Sequence, residues 1–347
     1  MIRKYRTVLP MFAEVIGDKP LPDITPGDVA EYFNLIQRLP PRWADKRRTL
    51  KLSVRELAAR EWPECMAEKT FEDTYRAALS PFLSWAIRTY ARQGFPSDLS
   101  TLDAGYGGNR KGGIKKQRAM RPDELSTLFN GPECAAFAAN PAQHGRYWLP
   151  LVGLYTGARV NEVCQLNPQC DIRQDPASGI WFFDLTDESE TAEDVTKSVK
   201  NSASKRPVPI HSKLIELGLL DYVERIKAQG ALLFFPEFSP SKGRASGEAE
   251  KWFRRHLEKL GLRDDTEGAR LVGFHTFRHT FITQSEYARE PRYGLITGHA
   301  GIERTPVNPV GEGYKTEAAL FGLRMETKRD VIEKWSFDIA PPKPSCP

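Results

Sequence analysis

Long apolar runs are missing from this chain. No segment approaches the ~20 consecutive apolar residues that cross a bilayer, and the opening Met1-Ile2-Arg3-Lys4-Tyr5 lacks the apolar core of a secretory signal. Cysteine is scarce too: five residues, odd in number and scattered at Cys65, Cys134, Cys164, Cys170 and Cys346. That usage argues against a disulfide framework and reads as reduced thiols in the cytoplasm. Cys164 and Cys170 have no third and fourth ligand nearby, so no metal site is expected. Internal repeats and coiled-coil heptads are absent as well. What these exclusions leave is a soluble globular protein with 40% apolar and 27% charged residues. Its 347 residues favour two domains over one.

The net charge of +5 conceals an asymmetry. Residues 1–118 hold 21 Lys/Arg against 14 Asp/Glu, and the remainder holds 29 against 31. A basic N-terminal third suits a polyanionic partner, although a solvated surface tuned for solubility reads the same way. Residues 1–17 are expected to be helical, with Leu9, Phe12, Val15 and Ile16 at helical spacing. Thr25-Pro26 opens a second helix as N-cap and first helical residue, carrying Val29, Tyr32, Phe33 and Ile36 to a stop at Pro40-Pro41. Arg47, Arg48, Lys51 and Arg55 cluster in a third segment, and a fourth helix runs from about Thr70 to Ala91. Residues 1–100 therefore read as a helical domain.

Residues 101–118 read as a linker. Arg110, Lys111, Lys115, Lys116 and Arg118 interleave there with Gly105, Gly107, Gly108, Gly112 and Gly113. Glycine denies this stretch a stable helix, and its cations suit a path along phosphates; a plain hinge would look similar. From 119 to 347 the pattern is α+β. An apolar helix covers Tyr147–Tyr155, a turn falls at Thr156-Gly157-Ala158, and a helix follows over Arg159–Leu166. Gly179–Leu185 reads as a strand, Thr186–Lys200 as a polar stretch that opens acidic, and Arg206–Ile210 as an edge strand marked by its prolines. Helices are expected at 212–228 and 247–260.

The chemistry concentrates between Phe274 and Tyr314. His275 and Arg278 stand three apart, so on a helix they share a face. A second imidazole, His299, and a tyrosine, Tyr314, follow. Cations for oxygens, imidazole for protons and a hydroxyl to attack together suit work on a phosphate. Any one of these pieces is weak, since a lone His-x-x-Arg is common on surface helices. Four pieces in order carry more. They are Thr156-Gly157-Ala158-Arg159-Val160-Asn161-Glu162; Lys200 ahead of Arg206-Pro207-Val208-Pro209-Ile210; His275-x-x-Arg278; and Gly298-His299 with Tyr314 after it.

In that combination the chain resembles the tyrosine site-specific recombinases of the phage-integrase type. The motifs span about residues 119–340, and the helical N-terminal region is similar to the family's core-binding domain by length and helix content. The resemblance implies a mainly α fold with a small β-sheet. It assigns Arg159 and Arg278 to the nonbridging oxygens of a scissile phosphate, His275 to proton handling at the nucleophile, and His299 to a hydrogen bond to phosphate. Glu162, at the family's acidic position, would orient Arg159 or His275 rather than touch the phosphate. His279, beside Arg278, is read as structural. A lysine on a β-hairpin would protonate the leaving 5′-oxygen. Lys197, Lys200 and Lys205 compete for that role, and Lys200, nine residues before Pro209, matches the family's spacing best.

Tyr314 is the implied nucleophile, fifteen residues after His299 and so later than the family's usual position. Its rival Tyr293 precedes the histidine and breaks the motif order. The implied reaction cuts and rejoins DNA through a 3′-phosphotyrosyl intermediate and a Holliday junction. It integrates or excises a mobile element such as a phage, with no ATP, metal or other cofactor. The implied partners are double-stranded DNA attachment sites, a synaptic homotetramer, and factors that set direction or bend DNA, in the cytoplasm at the bacterial nucleoid. Arg47, Arg48, Lys51 and the linker cations are the expected DNA contacts. The tail after residue 325 is expected to dock on a neighbouring subunit. Two rivals stand: a type IB topoisomerase-like enzyme, which shares the chemistry, and a catalytically silent DNA-binding protein, which the filled motif positions disfavour.

Overall fold

The computed structural model describes residues 2–17, 19–102, 104–107, 117–199, 204–266, 268–298 and 324–345. They belong to two compact units, Met1–Gly113 and Ile114–Pro347.

The first unit is all helical. Helix α1 (Ile2–Ile16) buries Val8, Met11, Phe12 and Val15 along one face, an i, i+3, i+4, i+7 stripe. Helix α2 (Pro26–Gln37) starts where Thr25 predicts. The Thr25 hydroxyl accepts from the Asp28 amide at 3.2 Å, and the Asp28 carboxylate accepts from the Thr25 amide at 2.8 Å. Helices α3 (Trp43–Leu50) and α4 (Val54–Ala59) are separated by Lys51, which takes a left-handed φ of 54°. The long helix expected from Thr70 is interrupted: a π-wound turn over Phe71–Arg76 leads into α5 (Ala77–Tyr90). A chain of edge-on and tilted aromatic contacts runs through the core, from Phe33 to Phe71 at 5.3 Å and from Phe71 to Tyr106 at 5.6 Å. Tyr106 is buried, and its hydroxyl donates to the Met66 carbonyl at 2.6 Å. The described residues up to 107 of the stretch read as a linker thus pack with this unit.

The second unit is built around α8 (His144–Thr156), which follows α6 (Pro122–Phe129) and α7 (Pro132–Ala139). All of its residues except Arg146 are buried. Its interior Pro150 removes a backbone bond at a cost of ~3 kcal/mol. Full burial of Leu149, Leu151, Val152 and Leu154 contributes about 1.5–3 kcal/mol each and outweighs it. Gly157, with a φ of +58°, ends the helix. The short α9 (Val160–Cys164) then turns away.

A three-stranded antiparallel sheet follows, in the order β1 (Ile172–Gln174), β2 (Trp181–Leu185), β3 (Arg206–Pro209). Phe183 pairs with Val208 and Leu185 with Arg206. β3 lies at an edge, as its prolines require, and β1 is a strand that the sequence pattern did not reveal. The helix expected over 212–228 is broken at Gly218 (φ +94°) into α10 (Ser212–Glu216) and α11 (Leu219–Ala228). Helix α12 (Gly247–Lys259) brings Phe253 against Phe274 and Phe277. Helix α13 (His275–Tyr287) crosses α8 at two glycines. A Cβ on Gly153 would stand 2.4 Å from the Phe274 ring, and one on Gly157 would stand 2.9 Å from Phe281.

Two more helices, α14 (Gly294–Thr297) and α15 (Met325–Ile332), both pack on β3. The residues after α15 lie along their own unit rather than reaching outward. Trp335 stacks flat on Phe281 (4.8 Å, 6°), and Phe337 sits edge-on to Tyr155 at 5.2 Å. The Tyr147 hydroxyl donates to the Pro342 carbonyl at 2.8 Å, and the Ser345 amide to the Ala138 carbonyl at 3.0 Å. Trp335, Phe337 and Ile339 in this tail are buried and belong to this unit's own core. No helix among the described residues is long and apolar enough to cross a membrane.

Candidate active site

The Gly157 turn places Arg159 at the entrance to α9, where the chain is still extended. Three residues on, Glu162 is almost fully buried, its side chain 3% exposed. Its carboxylate accepts from the Arg159 amide at 3.1 Å and from the Arg159 guanidinium. It accepts a third bond from Nη2 of Arg206, at 3.2 Å. Burial alone would push the Glu162 pKa up. The charge of Arg206, then the amide and charge of Arg159, more than offset that, so the carboxyl lies below its usual range. Arg159 also donates to the Ser204 hydroxyl at 3.3 Å, which links α9 to the start of β3.

Arg278 enters from α13. It lies on the second turn's inner side and is 2% exposed. Its Nη1 donates to the Gly157 carbonyl at 2.9 Å and its Nη2 to the Thr297 carbonyl at 2.6 Å. Burial, followed by repulsion from Arg159 and Arg206, lowers its pKa to about 10. It therefore stays protonated at neutral pH, and its charge sits where little water screens it. His275 opens the same helix and is exposed; its ring meets the half-buried His279 at 5.1 Å and 80°. His275-x-x-Arg278 is helical as expected; of the two side chains expected on one face, the imidazole is exposed and the guanidinium buried.

Of the three lysines that compete for one role, Lys197 is buried against Asp171 at 2.5 Å. Lys205 pairs with Asp187 and Glu188, both at 2.7 Å, and those carboxylates raise its pKa to about 12. Lys200, His299 and Tyr314 lie outside the described residues, as do Arg110, Lys111, Lys115 and Lys116. Tyr293, the rival tyrosine, is half-buried and packs against the core.

The remaining expected DNA contacts fall in two places. Arg47 and Arg48 occupy the last turn of α3 and Lys51 caps it; Arg47 pairs with Glu14 at 2.9 Å and Arg48 with Asp45 at 3.2 Å. Arg118 stands apart from these exposed groups. It is bound by both oxygens of Glu124, at 2.7 and 2.6 Å, and by Asp264 at 3.3 Å, with its side chain 17% exposed. Among the described residues no cluster of three or more His, Cys, Asp or Glu side chains could hold a metal ion.

Sequence reasoning passed over Arg206 and Lys328. Arg206 reads as part of an edge strand, yet it is buried and bonded to Glu162. Lys328 on α15 reaches the Pro207 carbonyl at 3.4 Å, and burial followed by the charge of Arg206 lowers its pKa. The sole signal was an arginine amid Pro-Val-Pro on a strand whose neighbours face the core. Arg206 thus adds a third guanidinium beside Arg159 and Arg278, and Lys328 lies close enough to feel its charge. Arg159 and Arg278 supply fixed positive charge of the kind that binds an oxyanion.

No family model and no curated protein matches the sequence. The fold is similar to XerH site-specific recombinase bound to palindromic difH substrate in a post-cleavage complex. That likeness has a TM-score of 0.52 at 18% identity and covers 92% of this chain and 78% of that one. XerH bound to difH in a pre-cleavage complex is similar at a TM-score of 0.51 and 16% identity, over 92% of this chain and 79% of that one. The chain thus has the fold of a tyrosine site-specific recombinase, a helical unit followed by an α+β unit.

Proposed function

We propose that this protein is a tyrosine recombinase that cleaves and rejoins double-stranded DNA at specific sites. The observation that carries the reading is the cluster of half-buried Arg159 with buried Glu162 and Arg278. Three separate pieces of sequence converge on it through the Gly157 and Thr297 carbonyls, within a fold shared with XerH. Two fixed guanidiniums hold the nonbridging oxygens of the scissile phosphate and stabilise the charge that builds as a fifth oxygen arrives. Glu162 is too deeply buried and too firmly paired to act on the phosphate, and its part is to orient Arg159. Tyr314 attacks phosphorus and forms the 3′-phosphotyrosyl bond, with His275 handling the tyrosine proton. Lys200 protonates the departing 5′-oxygen, and His299 bonds the phosphate. The energy of the broken phosphodiester is kept in the new ester, so rejoining needs no nucleotide cofactor. A synaptic tetramer on two attachment sites and the movement of a mobile element complete the proposal.

The test is a nicked substrate made from the DNA flanking the gene, which loses a short fragment on cleavage and traps the covalent intermediate. The wild type should yield a protein–DNA species that survives denaturation. Tyr314→Phe should bind the same DNA and yield none, whereas Tyr293→Phe should still form it. An adduct that persists in Tyr314→Phe overturns the assignment. Relaxation of supercoiled DNA without regard to sequence would favour the topoisomerase-like reading, and tight binding with no adduct the silent binder.

A further inference from the structure

Arg206 takes no part in the chemistry just described, yet each of its donor nitrogens has a defined partner. It begins the edge strand β3, paired with Leu185, and its side chain is 5% exposed. Nη2 donates to Glu162 at 3.2 Å, Nε to the Ile296 carbonyl at 2.5 Å, and Nη1 to the Ser204 carbonyl at 2.7 Å. Burying a guanidinium costs several kcal/mol that only well-placed partners repay. The place in an edge strand does not by itself call for a buried charge.

The partners show what the arrangement does. Glu162 is the group that holds Arg159. Ile296 is followed by Thr297, whose carbonyl is bonded to Arg278. Two adjacent carbonyls at the end of α14 are therefore gripped by two different buried guanidiniums. Helix α14 has only four residues, too few to be stable on its own hydrogen bonds, and its last carbonyls have no partners within the helix. Gly298 then takes a left-handed φ of 67°, and His299 is next in sequence.

We propose that Arg206 is a positioning residue for DNA cleavage: it fixes at once the carboxylate that orients Arg159 and the segment that delivers His299. The inference rests on the cleavage reading given above. Arginine suits the task because its planar fork presents donors in several fixed directions, which the single ammonium of a lysine cannot match. The order of influences on Glu162 agrees, since the charge of Arg206 lowers its pKa more than that of Arg159 does.

The experiment compares full-length wild type, Arg206→Met and Arg206→Lys. Three quantities are measured: affinity for the DNA site, the rate constant and amplitude of adduct formation in a single turnover, and amide hydrogen exchange. Arg206→Met should bind DNA as well as wild type and reach the same adduct amplitude, with a rate constant about 100-fold lower. Exchange should quicken in two places, residues 157–164 and 294–298, and not elsewhere. Arg206→Lys should recover part of the rate, because its ammonium can reach one of the two partners. A purely architectural arginine would instead lower the amplitude, as part of the protein unfolds, and leave the rate constant of the remainder unchanged. That result, or quickened exchange in only one of the two segments, overturns the proposal. If wild type forms no adduct at all, the cleavage reading fails on its own. Exchange then decides for Arg206: acceleration in both segments upholds the tie, and its absence sinks it.

Discussion

Lys197 and Asp171 form an ion pair that water barely reaches: Nζ lies 2.5 Å from Oδ2, and the side chains are 3% and 2% exposed. Asp171 also accepts from the Asn167 amide at 2.7 Å, and Lys197 donates to the Ser189 hydroxyl. The pair pins the long connection between β2 and β3 to the body of the unit. Lys197→Ala strands a buried carboxylate and should cost about 3–5 kcal/mol in urea unfolding. Lys197→Met combined with Asp171→Asn keeps the acceptor and removes both charges, so it should cost less than Lys197→Met alone. Equal losses in the two would show that the charge pairing contributes nothing.

Cleavage chemistry separates the lysines further. Lys200→Ala should slow cleavage of an ordinary site severely and spare a site whose bridging 5′-oxygen is replaced by sulfur, which leaves without a proton. Lys197 and Lys205 are bound by carboxylates, so Lys197→Ala and Lys205→Ala should show no such selective rescue. Rescue of Lys197→Ala in place of Lys200→Ala would move the general acid to Lys197.

Gly153→Ala sets two effects against each other. Alanine favours a helix interior over glycine by roughly 0.5–1 kcal/mol. The new methyl, however, would stand 2.4 Å from the Phe274 ring, which Phe253 and Phe277 hold in place. Overpacking of that kind costs about 1–3 kcal/mol, so the variant should be less stable than wild type. Because Phe274 precedes His275, adduct formation should also slow in the folded fraction. A stability gain on thermal melting would show that the ring yields freely.

Acid should act on Glu290. Hydrogen bonds from Arg292, at 2.8 Å, outweigh the opposing effect of burial and, with Lys334 at 2.5 Å, hold its pKa at about 2. A carboxyl whose folded pKa lies below its unfolded ~4.3 stabilises the fold above that value. The contribution fades as pH falls towards the folded value. Glu290→Gln should therefore melt lower than wild type at pH 7 by a gap that is constant down to about pH 5 and closes between ~4.3 and 2. A gap independent of pH would assign the loss to shape rather than charge.

Local patterns were legible in the sequence. The cap at Thr25, the turn at Gly157 and the pairing of Arg159 with Glu162 all join residues within a few positions of one another. The pattern failed where partners are remote. Arg206 reads as one more cation beside a polar connection, because the carbonyl that buries it belongs to Ile296, ninety residues away. Arg118 reads as a linker cation until Asp264 is brought beside it. Tyr106 sits among glycines, and only Phe71 and Met66 make it a core residue. The strand at Ile172–Gln174 is three residues long, too short for an alternating pattern to show.

The stacking of Trp335 on Phe281, and of Phe337 against Tyr155, has a consequence for how the protein is made. A chain grows from its N terminus, so the faces of α8 and α13 that these rings cover are finished long before their covers leave the ribosome. The second unit therefore cannot close its core until Trp335, Phe337 and Ile339 have left the ribosome. Until Trp335 and Phe337 emerge, the sides of Phe281 and Tyr155 that they cover lack their partners, and chaperones and proteases meet an apolar surface that the folded unit no longer presents.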